Sequence, residues 1–192
     1  MKLVFATQNP DKLREIIQKT GNSVTISGLD KFQLKEELPE TGNTLTANAL
    51  EKARYVAEKF HVNCFADDTG LEVEALNGDP GVFSARYAGE EKNALKNMQK
   101  LLHELKNKNN RNACFKTVIA LVMDGKEYLF EGKVDGKITN EMRGEKGFGY
   151  DPVFVPDGFE KTFAEMTAEE KNNISHRAKA VEKLVEFLKS WQ

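Results

Sequence analysis

The spacing of apolar positions changes period several times along the chain, and each change marks an element. Lys2 to Ala6 is a short apolar run that reads as a strand. Leu13, Ile16, Ile17 and Thr20 then recur at helical spacing, with Gly21 as the stop signal. A short strand around Val24 to Ser27 gives way to a polar stretch reaching about Asn43, and Leu45, Ala49, Ala53, Val56 and Phe60 line one face of a second helix. That helix feeds a buried strand, Val62 to Ala66, which Thr69-Gly70 would end as a turn. Residues 77–89 hold Gly78, Pro80, Gly81 and Gly89 and read as an ordered loop. A third helix follows over about Glu90 to Lys106, with Leu95, Met98, Leu102 and Leu105 facing inward.

Two longer strands come next. Ala113 to Met123 is apolar on both faces from Val118 onward, the pattern of a central strand. Its partner alternates, with Tyr128, Phe130 and Val134 against Glu127, Glu131 and Lys133, and Met123-Asp124-Gly125-Lys126 is a strong hairpin signal. A Gly-rich loop, Gly144 to Gly149, precedes a last short strand at Val153 to Val155. Thr167-Ala168-Glu169-Glu170 opens the C-terminal helical segment with a capping box; the helix re-initiates at Ser175 and carries Val181, Leu184, Leu188 and Trp191 on one face. This pattern predicts an α/β fold with a mixed β-sheet, organised as a single domain over residues 1–192 with two lobes and a cleft between them.

Composition narrows the partners. The 192 residues are 40% hydrophobic and 30% charged, an ordinary soluble balance. Lys plus Arg number 28 against 30 Asp plus Glu, so no global field recruits a nucleic acid, although a local cluster can still hold a small anion. Cys64 and Cys114 sit in apolar strand-like runs, which suits core packing better than a disulfide or a metal site. No apolar run approaches membrane-spanning length, and the opening strand leaves no room for a signal peptide, so a cytoplasmic location is expected.

Five segments could carry chemistry. Adjacent carboxylates at Asp67 and Asp68 are tolerable where a cation or a proton is shared between them, and one or two carboxylates completed by water and phosphate is how proteins commonly hold Mg²⁺. A solvated acidic turn gives the same letters. Glu40, in an acid-rich stretch, could join them around a metal. The segment Thr7-Gln8-Asn9-Pro10-Asp11-Lys12 links a strand to a helix N-terminus, where free N–H groups, the helix dipole and Lys12 suit a phosphate chain. It lacks the Gly-rich phosphate-loop patterns, and it also reads as a capped turn. Phe148-Gly149-Tyr150-Asp151-Pro152 offers an aromatic that could stack on a base and an acceptor, Asp151, for a base edge; both aromatics could equally be core plugs. In Lys171-Asn172-Asn173-Ile174-Ser175-His176-Arg177, with Ser175 as cap, two cationic side chains fall in the first turn of a helix, against its dipole, which favours an electron-rich partner; a surface Arg and a satisfied His give the same letters.

Taken in order, these segments resemble the inosine triphosphate pyrophosphatase family over nearly the whole chain. Thr7 to Lys12 is similar to its T-x-N-x-x-K loop, and Glu40-Thr41-Gly42 with Asn48-Ala49 and Lys52-Ala53 to its E-T-G…N-A…K-A block. Ala66-Asp67-Asp68-Thr69-Gly70-Leu71 matches A-D-D-[ST]-G-L, and Pro80-Gly81-Val82-Phe83-Ser84-Ala85-Arg86-Tyr87 matches P-G-x-x-S-A-R-[YF]. The Phe148 and Ser175 segments complete six ordered motifs. Gln8, where many relatives have Gly, is the one minor departure.

The resemblance implies an elongated mixed sheet flanked by helices, two lobes with a central active-site cleft, and a homodimer. It implies Mg²⁺ held by Glu40 and Asp68, with Asp68 as catalytic base. Thr7, Gln8, Asn9, Pro10, Asp11 and Lys12 would bind the triphosphate, and Thr69 would touch substrate beside the metal. Phe148, Gly149 and Tyr150 would form the base-stacking segment, with Asp151, Lys171, His176 and Arg177 around the polar edge of the purine. The implied activity is hydrolysis of ITP, dITP and XTP to the monophosphate and pyrophosphate, with no nucleic-acid or membrane partner. Two alternatives are a Maf-like pyrophosphatase of other base specificity and a non-catalytic nucleotide-binding module; the first lacks its Ser-rich opening loop here, and the second would have no use for Glu40, Asp67 and Asp68 together.

Overall fold

The structure, a computed structural model, describes residues 2–20, 24–34 and 36–191. In chain order it builds β1 (Lys2–Phe5), α1 (Pro10–Thr20), β2 (Thr25–Ser27), α2 (Leu45–Phe60), β3 (Cys64–Val73), β4 (Pro80–Gly81), α3 (Ala94–Glu104), β5 (Asn112–Met123), β6 (Lys126–Ile138), β7 (Phe154–Pro156), α4 (Ala168–Ile174) and α5 (His176–Ser190). The strands join in the order β2-β1-β3-β5-β6-β7, with β4 paired to β3. β1 runs parallel to β2 and β3, whereas β3–β4 and β6–β7 are antiparallel, so the sheet is mixed as the sequence pattern implied. Gly21, the expected stop of the first helix, lies outside the described residues.

The chain divides into two compact units. The first comprises Met1–Asp68, Thr117–Gly132 and Arg177–Gln192, and the second Thr69–Lys116 and Lys133–His176. Each has its own core. In the first, Leu3, Phe5 and Phe65 pack with Ile119, Leu121, Val181, Leu184 and Leu188, and the Phe5 and Phe65 rings stack 4.6 Å apart. In the second, Leu71, Val73, Met98, Leu101, Phe115, Phe154 and Phe163 form a second apolar cluster. The hairpin turn forms as read, with Asp124 and Gly125 both at positive φ (50° and 75°), the conformation of a tight primed turn. β5 lies between β3 and β6, and its residues 117–121 are all buried, which makes it the central strand expected.

Three local expectations are corrected. Thr69-Gly70 is not a turn: β3 runs on through both to Val73, because Leu71 and Val73 continue the buried pattern and the Leu71 N–H donates to Ser84 Oγ at 2.8 Å. The third helix starts at Ala94, behind Asn93, whose side chain caps it, and its buried positions are Asn97, Met98 and Leu101; Leu95 is 53% exposed. In α1 Ile16 and Thr20 are buried while Ile17 points outward. The capping box at Thr167 and Glu170 forms, and Ser175, extended, separates α4 from α5. Both cysteines are free; burial pushes the Cys64 thiol up to about 12 and the half-buried Cys114 thiol up to about 11.

Candidate functional site

In the first unit, the loop leaving β1 is organised by its own side chains. The Asn9 amide oxygen accepts the N–H groups of Asp11 and Lys12 at 2.9 and 3.2 Å, capping α1, and Pro10 takes the first helical position, where its missing N–H costs nothing. Thr7 Oγ1 accepts the Asn9 N–H at 3.2 Å. Gln8 reaches away: its Nε2 donates to the Glu36 carbonyl at 2.9 Å and its Oε1 accepts the Leu38 N–H at 3.1 Å, tying this loop to the segment that leads to Glu40. Asp11 is engaged on the helix surface with Arg14 at 2.8 Å. Lys12 points to β3 and meets Asp67 Oδ1 at 2.9 Å.

The paired acids differ in their hydrogen-bonding partners. Consecutive residues of a strand face opposite sides of the sheet, and each acid has its own set of partners. Asp67 meets Lys12 from α1 and Arg177 from α5, the latter through Nε at 3.2 Å. Arg177 in turn holds Glu15 at 2.5 Å through Nη1. Asp68 meets α2 instead: Asn48 Nδ2 donates to Oδ2 at 3.0 Å, and Lys52 Nζ lies 3.5 Å from Oδ1 and 2.5 Å from Glu40 Oε1. The Asn48 Oδ1 accepts the Gly42 N–H at 2.8 Å, so one asparagine ties the Glu40 segment to Asp68.

The electrostatics divide the two acids further. Burial opposes ionisation of Asp67, but Lys12 and Arg177 outweigh it and hold the carboxyl well below the usual range. At Asp68 burial wins over Lys52 and Lys12, and the carboxyl is pushed up. Burial pushes Lys12 down more than Asp67 restores it, whereas burial of Lys52 is outweighed by Asp68 and Glu40, and it stays firmly protonated. A carboxylate whose proton affinity is raised is suited to taking a proton, and one held ionised by two cations is suited to positioning them.

In the second unit a different group assembles. Phe148, Asp151 and Lys171 come together: the Phe148 N–H donates to Asp151 Oδ2 at 2.9 Å, Lys171 Nζ reaches the same oxygen at 2.5 Å, and that ammonium lies 4.8 Å from the Phe148 ring centroid. Gly149, left-handed, follows the aromatic. Tyr150 is a core side chain, 5% exposed, with its hydroxyl donating to the Ser84 carbonyl at 2.8 Å. His176 is also buried and stacks on Phe115 at 4.5 Å with the rings 13° apart. Thr69 is half-buried on β3, next in sequence to Asp68.

The structure thus brings Thr7, Asn9, Lys12, Glu40, Asp67, Asp68 and Arg177 into the first unit. Arg177, expected at the base edge, sits with Asp67 and Glu15, so the electron-rich partners demanded by its place at a helix start are these carboxylates. Tyr150 and His176, expected at the base, are held in apolar packing. Three residues given no role from the sequence belong to the charged cluster. Asn48 and Lys52 carried a signal: they interrupt the apolar face of α2 and are both buried, 1% and 4% exposed. Glu15, one of two acids on α1, carried none.

Comparison with known proteins places the chain as a whole. A dITP/XTP pyrophosphatase of Flavobacterium johnsoniae is 54% identical over 188 residues, covering 98% of each chain. One of Porphyromonas gingivalis is 55% identical over 188 residues, covering 97% of each. Among solved structures, the Ham1 protein of Staphylococcus aureus superposes with a TM-score of 0.90 at 38% identity over the whole of both chains, and a HAM1 protein of Coxiella burnetii with a TM-score of 0.90 at 37% identity over 99% of both. The Ham1 family model matches residues 3–187. The family indicated by six ordered motifs is the family found: the chain belongs to the Ham1 family.

Proposed function

We propose that this protein hydrolyses non-standard purine nucleoside triphosphates, ITP, dITP and XTP, to the nucleoside monophosphate and pyrophosphate, removing deaminated purines from the nucleotide pool. The observation that carries the reading is Asp68: a buried carboxylate raised above its usual range, oriented by Asn48, beside Glu40 and Lys52. The reading assigns phosphate chemistry to the first unit and base recognition to the second. The curated relatives of about this length that bear the name dITP/XTP pyrophosphatase support it.

The donor set suits Mg²⁺. Oxygens of Glu40 and Asp68 converge on the Lys52 ammonium, so two hard anionic donors already meet at one cationic point. Mg²⁺ commonly takes one or two carboxylates and completes its shell with water and phosphate. Bound by Glu40 and Asp68, Mg²⁺ would neutralise phosphate charge and polarise the phosphorus under attack.

The chain's own residues do the rest. Asp68 accepts the proton of the attacking water; the water oxygen bonds to the α-phosphorus, the bond to the bridging oxygen breaks, and pyrophosphate leaves with that electron pair. Asn48 fixes the rotamer of the base. Lys12 and Arg177, oriented by Asp67, supply cationic donors for phosphate oxygens. Phe148 supplies the aromatic face, and Lys171, which can only donate, favours a 6-oxo acceptor over the 6-amino donor of adenine. Sites built to hydrogen-bond one such group reject its opposite strongly. With this reading go a cytoplasmic location and a homodimer, the latter tested by the mass of the purified protein in solution.

The test is pyrophosphate release from a panel of nucleoside triphosphates with and without Mg²⁺. ITP, dITP and XTP should be cleaved in its presence and ATP poorly. Equal cleavage of ATP and ITP, or full activity in a metal chelator, would sink the proposal.

A further inference from the structure

Phe148 stands between two left-handed glycines, Gly147 at φ +73° and Gly149 at φ +63°, and the two are not equivalent. A Cβ on Gly149 would meet nothing within 4 Å, so glycine there serves only the backbone conformation. A Cβ on Gly147 would fall 2.0 Å from Asp151 Oδ2, far inside any allowed contact. That oxygen is the one that accepts the Phe148 N–H at 2.9 Å and the Lys171 ammonium at 2.5 Å. Asp151 and Lys171 are 3% and 5% exposed, so the pair is a desolvated, charge-assisted contact whose removal leaves a buried charge behind.

An acceptor at this place in the sequence invites the role of reading a base edge. The geometry favours another. One carboxylate oxygen gathers the backbone of the aromatic residue and the cation beside its ring, and it does so in a space that exists only because residue 147 has no side chain. Resting on the reading in which the base stacks at Phe148, we propose that Asp151 is a positioning residue that fixes the Phe148 ring as the platform for the base, and that Gly147 is glycine in order to admit the Asp151 carboxylate.

The experiment is steady-state kinetics with ITP at saturating Mg²⁺ on Phe148→Ala, Asp151→Ala, the double variant, Gly147→Ala and Gly149→Ala, with melting curves for each. Phe148→Ala should raise KM about tenfold, the scale of one lost base stack, with kcat little changed. Asp151→Ala should raise KM by a similar factor alone, yet add less than about twofold in the Phe148→Ala background, as expected of residues that act as one unit. Gly147→Ala should resemble Asp151→Ala, and Gly149→Ala, equally left-handed but without the collision, should cost less. An Asp151→Ala penalty that persists undiminished without Phe148 would mean that Asp151 touches the base itself and would overturn the proposal. So would equal penalties at the two glycines, a comparison that stands even if Asp151→Ala does not fold. An unchanged KM in Phe148→Ala would instead overturn the stacking reading on which the proposal rests.

Discussion

The charged cluster of the first unit and the aromatic group of the second are built on opposite principles. In the first, side chains position one another: Asp67 holds Lys12 and Arg177, Glu15 holds Arg177, and Lys52 holds Glu40 and Asp68. In the second, backbone conformation does most of the positioning, with left-handed glycines on both sides of Phe148 and one buried ion pair. A site of exchangeable ion pairs can trade partners with an incoming ion without moving its backbone. A site set by glycine torsions presents one surface and has little else to offer. The first arrangement suits a charged reacting group, the second a flat ring.

The sharpest way to break the comparison is to remove charge from β3. Asp68→Asn should reduce turnover of ITP by about a thousandfold, within the range for a lost general base, and leave melting unchanged or higher. The sign follows from the raised carboxyl: its contribution to stability is complete below the ordinary carboxylate pKa and is lost as pH rises through the elevated folded value. Asp67 has the reverse sign, stabilising at neutral pH and losing that contribution only as pH falls through its depressed value. Asp67→Asn should therefore destabilise, by about 3–5 kcal/mol for a broken buried pair, as read by denaturant midpoint. If the two variants melt alike, the division of labour between the acids is wrong.

Smaller effects sharpen the contrast. Tyr150→Phe should cost about 0.5–1.5 kcal/mol through the lost hydrogen bond to the Ser84 carbonyl, which still accepts from Asn97 Nδ2 at 3.4 Å, while leaving KM for ITP unchanged; a raised KM would put Tyr150 at the base. The smallest is Gln8→Gly, which removes two exposed hydrogen bonds to the Glu36–Leu38 backbone, each worth about 0.5–1.5 kcal/mol. It should raise the Mg²⁺ concentration for half-maximal rate about threefold with stability nearly unchanged, and no shift would remove Gln8 from the support of Glu40.

Much of this was legible in advance, and the failures have physical causes. The central strand, the hairpin and the capping box follow from local pattern and turn chemistry, which the structure keeps. Thr69-Gly70 misled because a buried strand residue without a side chain has the same letter as a turn. Leu95 misled because the face of α3 is chosen by Asn97, whose amide donates to the Ala85 carbonyl at 2.8 Å, a contact no periodicity reveals. At the site, the motifs named segments but not which side chains meet. That His176 turns to Phe115 while its neighbour Arg177 turns to Asp67 depends on successive helix positions facing different partners, and Glu15 becomes visible only once Arg177 is placed. The Gly42 position was readable as a motif letter, but its reason is steric: a Cβ there would lie 2.6 Å from the Ala47 Cβ.

The self-neutralised cluster also bears on how substrate arrives. Among the described residues it sets three cations, Lys12, Lys52 and Arg177, against four carboxylates, Glu15, Glu40, Asp67 and Asp68, within a protein of formal net charge −2. Such a surface does not steer a bare polyanion by its long-range field. On the proposed reading the productive encounter would be with the nucleotide as its magnesium chelate, in which the metal cancels two of the triphosphate's negative charges. Association rates should then respond weakly to ionic strength, and uncomplexed nucleotide should be a poor competitor, so that the metal acts as an admission requirement before it takes part in any chemistry.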